Sequence, residues 1–159
     1  MSSTPDSGQP TGPEHVHGRY RMTEVNGSLY GLNRPVSLVP IGQLVGASLE
    51  GCGPCQAAAL DTVAADPALA ARLCDLVGTG YQLRLGGLPP TMTDPDHPVS
   101  QVHPQLRRYF ALGCTLRTGE GPNARVPLYE FMCGLDLAER RAACDNALDF
   151  LTGILALPW

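Results

Sequence analysis

The feature that most constrains this chain is a pair of cysteines separated by glycine and proline, Cys52-Gly53-Pro54-Cys55. An apolar segment, residues 43–49, precedes the pair, and an alanine-rich segment, residues 56–65, follows it. Alanine is the best helix former and proline fits the first turn of a helix, so we expect a helix to begin at the cysteine pair. The apolar segment predicts a buried strand that leads directly into it.

The two cysteines have the spacing that thiol chemistry requires. Thiols three positions apart at a helix N-terminus can form a disulfide, and the helix dipole stabilises the thiolate of the first. We therefore predict that Cys52 is the nucleophile. Gly53 permits the close approach of a partner chain, and Pro54 removes a backbone donor and fixes its own φ. Cys55 would attack the mixed disulfide on Cys52 and release the product.

Two other helices have clear start signals. Asp66-Pro67 combines an N-cap residue with proline at the first helical position, and Asp136 with Glu139 has the spacing of a capping box. The remaining predicted elements are a strand over 81–85, an exposed loop over 86–98, a short helix over 103–112 and a strand over 125–133.

The cysteine tetrapeptide, placed between a buried strand and a helix, resembles the redox motif of the thioredoxin superfamily. Val126-Pro127, followed by the apolar strand 128–132 and a terminal amphipathic helix, is similar to that family's cis-proline loop, last strands and last helix. The resemblance implies an α/β fold with a central mixed sheet flanked by helices and a loop and helix insertion before the cis-proline strand. It also implies that Val126 and Pro127 bind the extended substrate chain.

The same resemblance implies a thiol-disulfide oxidoreductase that acts on a protein or small-molecule disulfide and needs no cofactor. A thiol reductant or a reductase would restore its dithiol form. The acidic residue usual on the family's preceding strand is replaced by Gly46, and the chain contains no lysine. Glu50 and Glu130 are therefore the candidates for moving the proton to and from Cys55.

The alternative is a noncatalytic module, either a metal-thiolate site or a protein-interaction scaffold. A zinc ribbon normally supplies a second Cys-x-x-Cys, which this sequence lacks, so we expect no metal. A set of four thiolate or imidazole ligands could still be assembled, with Cys52 and Cys55 joined by two of Cys74, His103, Cys114 and Cys133.

The other cysteines have plainer expected roles. Cys74 and Cys144 fall on apolar faces of predicted helices, where free cysteine is a small buried hydrophobe, and we expect the same of Cys133. Cys114 lies beside a turn-rich segment, so we expect it to be exposed. A disulfide between Cys114 and Cys133 stays open, because sequence alone does not fix cysteine pairing.

The domain organisation follows from the distribution of apolar residues. Residues 1–18 are almost entirely polar, glycine or proline, which predicts a disordered tail. We expect residues 19–159 to form a single domain. His15 and His17 form a His-x-His pair in this tail. We expect an ordinary exposed pair there, because two flexible ligands without partners make a weak metal site.

Composition excludes several classes of partner. All 11 basic residues are arginine and the formal net charge is −4, so no footprint for nucleic acid or an anionic membrane is present. The apolar runs are far shorter than the roughly 20 residues of a membrane-spanning helix. The first residues show no secretory signal, so we expect a cytoplasmic protein in which thiols stay reduced.

Overall fold

The computed structural model describes His17 and residues 22–98, 101–116 and 121–158, and these residues are largely helical. The helices are α1 (Val39–Leu49), α2 (Gly53–Ala65), α3 (Pro67–Leu85), α4 (Pro90–Thr93), α5 (Pro104–Leu116), α6 (Val126–Gly134) and α7 (Leu137–Leu155). A short antiparallel pair, β1 (Glu24–Val25) and β2 (Val36–Ser37), flanks a 3₁₀ turn at Gly27–Tyr30. Its register places Glu24 opposite Ser37 and Val25 opposite Val36.

The predicted α/β fold with a central mixed sheet is wrong, because the strands predicted at 43–49, 81–85 and 125–133 are helical. Residues 43–49 lie in α1, residues 81–85 end α3, and residues 126–133 of the third segment lie in α6. Short apolar runs have the same pattern in a buried strand and a buried helix. In α1 the core packs around most of the helix, and the residues Ile41, Leu44, Val45 and Ala47 are fully buried.

The cis-proline loop expected at Pro127 is also absent from the described residues. Pro127 occupies the first turn of α6, and no described peptide bond is cis. Proline is tolerated there because the first turn does not need its missing N–H. The resemblance therefore fails for the sheet, the proline loop and the insertion before it.

The predicted helix starts are confirmed. The backbone N–H of Ala68 donates to Asp66 Oδ1 at 2.9 Å, and that of Glu139 donates to Asp136 Oδ1 at 2.8 Å. The predicted helix at 103–112 is observed as α5, and the predicted loop 86–98 contains the short α4. These predictions succeed because a helix cap is a local signal of three or four residues.

The core lies between helix pairs. Helix α3 packs along α7, α1 packs along α2, and α2 also contacts α7. Cys74 and Cys144 are fully buried within this core, as predicted, and burial raises the pKa of Cys144 to about 12. Cys133 is exposed, so its predicted burial is wrong, whereas the exposure predicted for Cys114 is confirmed; both are free thiols.

A buried carboxylate connects several of these elements. Asp75 on α3 accepts hydrogen bonds from the hydroxyls of Tyr30 at 2.8 Å and Tyr109 at 2.6 Å. Arg125, just before α6, donates to the same carboxylate through Nε at 2.8 Å and Nη2 at 2.7 Å. We name these four residues the Asp75 cluster. Burial, and then the Asp75 charge, raise the pKa of Tyr30 and of Tyr109, so both hydroxyls stay protonated and donate.

Candidate functional site

The cysteine pair lies where α1 ends and α2 begins. Gly51 adopts a left-handed conformation, φ +74°, which glycine accepts at little cost. Its N–H donates to Ser48 O at 3.3 Å, and the N–H of Cys52 donates to Ala47 O at 2.9 Å. This is the Schellman pattern that closes a helix. It reverses the chain within three residues and delivers Cys52 directly to the start of α2.

The predicted helix start at the cysteine pair is confirmed. Cys52 is the N-cap residue of α2, and its carbonyl accepts the N–H of Gln56 at 2.9 Å. Gly53 and Pro54 form the exposed first turn. Cys52 is half-buried and Cys55 is 1% exposed, and their sulfurs are not at disulfide distance. A partner molecule can therefore reach Cys52 more readily than Cys55.

A histidine from the N-terminal part of the chain lies against this junction. His17 is 8% exposed, and its Nδ1 lies 2.7 Å from Glu50 Oε1. Its backbone N–H donates to Gln43 Oε1 at 3.0 Å. A Cβ placed on Gly46 would come within 2.6 Å of the His17 carbonyl oxygen, so glycine is needed for this approach. Gln43, Gly46 and Glu50 follow one another at helical spacing and present one face to His17.

The imidazole and the two thiols converge. One ring nitrogen of His17 and the sulfurs of Cys52 and Cys55 all lie within 4.8 Å of one another. The hydrogen bond that the His17 ring donates to Glu50 raises the pKa of His17; burial lowers it by less, and the hydrogen bond with Cys52 raises it further. We name His17, Glu50, Cys52 and Cys55 the thiol site. It joins two thiols to an imidazole that a carboxylate orients.

Of the other residues expected at this site, one lies in it and three lie elsewhere. Glu50 lies within it, whereas Glu130 is exposed on α6. Val126 and Pro127 are in the first turn of α6, which packs on α3, α5 and the 3₁₀ turn. Val126 lies beside Gly31, at the end of that turn. The substrate-binding role expected of Val126 and Pro127 depended on the cis-proline loop, which the described chain does not form.

The four-ligand metal sites considered from the sequence are not formed among the described residues. His17, Cys52 and Cys55 are the one group of three or more potential ligands that the described chain brings together. Cys74 is in the core, Cys114 and Cys133 are exposed on other helices, and His103 donates its backbone N–H to Asn146 at 2.7 Å.

His17 is the residue whose importance sequence reasoning missed. Its predicted exposure is wrong, because its ring is buried against α1. The hydrogen bond to Glu50 spans 33 residues, so no local periodicity connects the two. The His-x-His pair was the one available signal. The remainder of the predicted tail, residues 1–16 and 18, lies outside the described residues.

Comparisons of the sequence with protein-family models and curated proteins, and of the fold with solved structures, find no match. Within the described residues, no helix is both long enough and apolar enough to cross a membrane. The geometry of the thiol site is accordingly the basis for assigning a function.

Proposed function

We propose that this protein performs thiol-disulfide exchange, with Cys52 as the attacking thiol and Cys55 as the resolving thiol. One observation carries the proposal: Cys52 caps a helix beside His17, whose ring is held by Glu50 at 2.7 Å. The helix N-terminus favours a thiolate, and the imidazole accepts the thiol proton. His17 thus fills the proton-transfer role for which the sequence offered Glu50 or Glu130.

The first step forms a mixed disulfide. The Cys52 proton passes to His17, and the resulting imidazolium is stabilised by the Glu50 carboxylate. The Cys52 thiolate attacks one sulfur of a substrate disulfide, so that a Cys52–substrate S–S bond forms and the substrate S–S bond breaks. The departing thiolate takes the proton from His17 and leaves as a thiol.

The second step releases the other half of the substrate. Cys55 gives its proton to His17 and attacks the Cys52 sulfur, which expels the bound substrate thiolate; that thiolate then takes the proton. Two electrons have moved to the substrate, and the protein carries a Cys52–Cys55 disulfide. The sulfurs lie within 4.8 Å and must approach to about 2.05 Å, the length of an S–S bond. Gly53 has open space around it, which permits this adjustment in the first turn.

The substrate class follows from which sulfur a partner can reach. Cys52 is half-buried at an exposed turn, which suits a protein or small-molecule disulfide. A low-molecular-weight thiol or a reductase would return the pair to its dithiol form, and no other cofactor is required. We place this chemistry in the cytoplasm, where a reducing environment returns such a pair to its dithiol form.

Metal binding is the second candidate function, and the convergence of His17, Cys52 and Cys55 within 4.8 Å favours it. A carboxylate bonded to one ring nitrogen, as Glu50 is to Nδ1 of His17, orients a histidine for ligation through the other. Structural zinc takes four ligands, however, and the described residues bring three together. Thiol exchange needs only the two thiols that are present, so we rank it first.

Turnover of a small disulfide tests the proposal. Reduction of hydroxyethyl disulfide, coupled to glutathione and glutathione reductase, should be lost in Cys52→Ser. Cys55→Ser should instead accumulate a mixed disulfide on Cys52, identified by mass spectrometry. Cys114→Ser, which removes an exposed thiol outside the thiol site, should retain the wild-type rate. Full turnover by Cys52→Ser would refute the mechanism.

Metal content distinguishes the second candidate. Protein purified without added metal should contain far less than one equivalent of zinc or iron if the pair is redox-active. Stoichiometric metal, together with thiols that react with iodoacetamide only after a chelator is added, would assign the site to metal binding instead.

A further inference from the structure

A cavity of about 990 Å³ lies on the side of α3 that carries Asp75, between the 3₁₀ turn and α5. This volume is at the upper end of the range of about 300–1,000 Å³ for small-molecule sites in proteins. Its walls include Arg72, Asp75, Tyr109 and Arg125, so it reaches the Asp75 cluster. We name it the Arg72 cavity. None of its lining residues belongs to the thiol site.

The charges in the Arg72 cavity do not cancel. Among the residues described as lining it, the ionised side chains are Arg72, Asp75 and Arg125. Arg125 binds Asp75 through two hydrogen bonds, so this pair is neutral. No carboxylate of the lining balances the charge of Arg72, so the cavity carries one net positive charge.

The Arg72 guanidinium also has unused hydrogen-bonding capacity. Its Nε is buried and donates to no acceptor in the described part of the chain. Arg72 is half-buried and lines the cavity, so an anion bound there would gain charge-assisted hydrogen bonds to its guanidinium. A carboxylate matches the planar fork of a guanidinium, and its single charge matches the single excess charge of the cavity.

The remainder of the lining is suited to an apolar group. Leu29, Leu88 and Phe110 form part of the wall, and Leu83 at the rim is 76% exposed. Thr79 and Gln82 add neutral hydrogen-bonding groups on α3. A phosphate dianion would lie near the Asp75 carboxylate and would leave the apolar wall uncovered. The lining therefore favours a ligand with one carboxylate and an apolar chain.

We propose that the Arg72 cavity binds a small monocarboxylic acid, with the carboxylate on Arg72 and the apolar chain against Leu29, Leu88 and Phe110. This inference does not depend on the thiol chemistry. Each site can be disabled without touching a residue of the other.

Binding of octanoate to the reduced full-length protein, followed by ¹H–¹⁵N NMR, tests the proposal. Octanoate should shift the amide signals of Arg72, Thr79 and Phe110. Octanamide has the same apolar chain without the charge, and it should bind at least about tenfold more weakly, a loss of about 1.4 kcal/mol. This pair of ligands needs no variant, so the result does not depend on how a mutant folds.

Two variants sharpen the test. Arg72→Gln should weaken octanoate binding about tenfold or more, whereas Arg108→Gln, which removes an exposed arginine of α5, should leave it unchanged. Equal affinity for octanoate and octanamide would overturn the proposal, as would wild-type affinity in Arg72→Gln. Tighter binding of inorganic phosphate, signals that shift elsewhere, or no binding up to about 10 mM octanoate would also overturn it.

Discussion

The thiol site and the Asp75 cluster are each organised by a carboxylate, but they use it differently. The side chain of Asp75 is 5% exposed and accepts four hydrogen bonds, two from tyrosines and two from Arg125. The side chain of Glu50 is 38% exposed and, within the described residues, accepts one hydrogen bond, from the ring of His17. Asp75, with four donors, holds the surrounding elements together. Glu50 orients an imidazole beside two thiols, which is the arrangement that activates a thiol for reaction.

The two regions differ as a structural polar cluster differs from a reactive one. In the Asp75 cluster the acceptors and donors match, and neither tyrosine can ionise easily because burial raises its pKa. In the thiol site, two thiols and an imidazole, which can exchange protons or electrons, lie within 4.8 Å of one another, and Cys52 is only half-buried. Damage to the first should appear in stability, and damage to the second in reactivity.

The largest expected effect is on stability. Asp75→Ala leaves the Arg125 charge and two tyrosine hydroxyls without their acceptor, and should lower the free energy of unfolding by about 3–5 kcal/mol. Cys52→Ser, which lies outside this cluster, should change it by less than about 0.5 kcal/mol. Urea denaturation of the reduced proteins, followed by far-UV circular dichroism, measures both. A loss below about 1 kcal/mol in Asp75→Ala would contradict the structural role of the Asp75 cluster.

A smaller effect is expected at the turn that positions Cys52. Gly51→Ala forces a side chain into the left-handed conformation and should cost about 1–2 kcal/mol. Gly153→Ala is the matched control, because Gly153 is in α7 with open space around it; it should stabilise the protein by up to about 1 kcal/mol. The same urea titrations give both values. Equal effects in the two variants would show that the left-handed turn does not constrain the junction.

The two regions also differ in how far the sequence predicted them. The cysteine pair and the caps at Asp66 and Asp136 are signals within four residues, and the helix starts they predicted are confirmed. The apolar segments were assigned as strands because period alone does not distinguish a buried helix from a buried strand. The predictions of a central sheet and of a cis-proline loop were therefore wrong.

Long-range contacts were beyond what local patterns could provide. Arg125 is 50 residues from Asp75, and Tyr30 is 45 residues from it, so nothing nearby in the sequence marks them as partners. For the same reason the sequence did not place His17 in the thiol site, although it placed Cys52 and Cys55 correctly at the start of a helix. A position such as Gly46, where a close contact requires glycine, becomes informative only once the contacting segment is known.

Gly46→Ala tests whether the position of His17 controls the reactivity of Cys52. The added Cβ would overlap the His17 carbonyl and displace the imidazole, while alanine favours the helix itself. We expect the rate of Cys52 alkylation by iodoacetamide at about pH 7 to fall roughly tenfold, as in His17→Ala. Mass spectrometry of the modified peptide gives the rate. A wild-type rate in both variants would show that His17 does not activate the thiol.

The smallest expected effect is a pH dependence. Glu50 raises the pKa of His17 above its ordinary value of 6.5, so the stability it contributes is complete below that pH. That contribution is lost as the pH rises through the higher pKa of the folded state. The stability difference between wild-type His17 and His17→Gln should therefore be larger at about pH 6 than at about pH 9.

The control for this measurement removes thiol ionisation. Both proteins should carry Cys52→Ser and Cys55→Ser, with a chelator present, and each is denatured with urea at the two pH values. A difference that grows with pH would mean that the folded protein holds His17 in its neutral form.

Alkylation of the wild-type protein across glutathione redox buffers, mapped by mass spectrometry and with metal content measured on the same sample, tests whether Cys52 and Cys55 form a redox pair. We expect a reversible Cys52–Cys55 disulfide with a defined midpoint, no stoichiometric metal, and Cys74 and Cys144 reduced throughout. Thiols of Cys52 and Cys55 that never pair, or that are protected by bound metal, would contradict it.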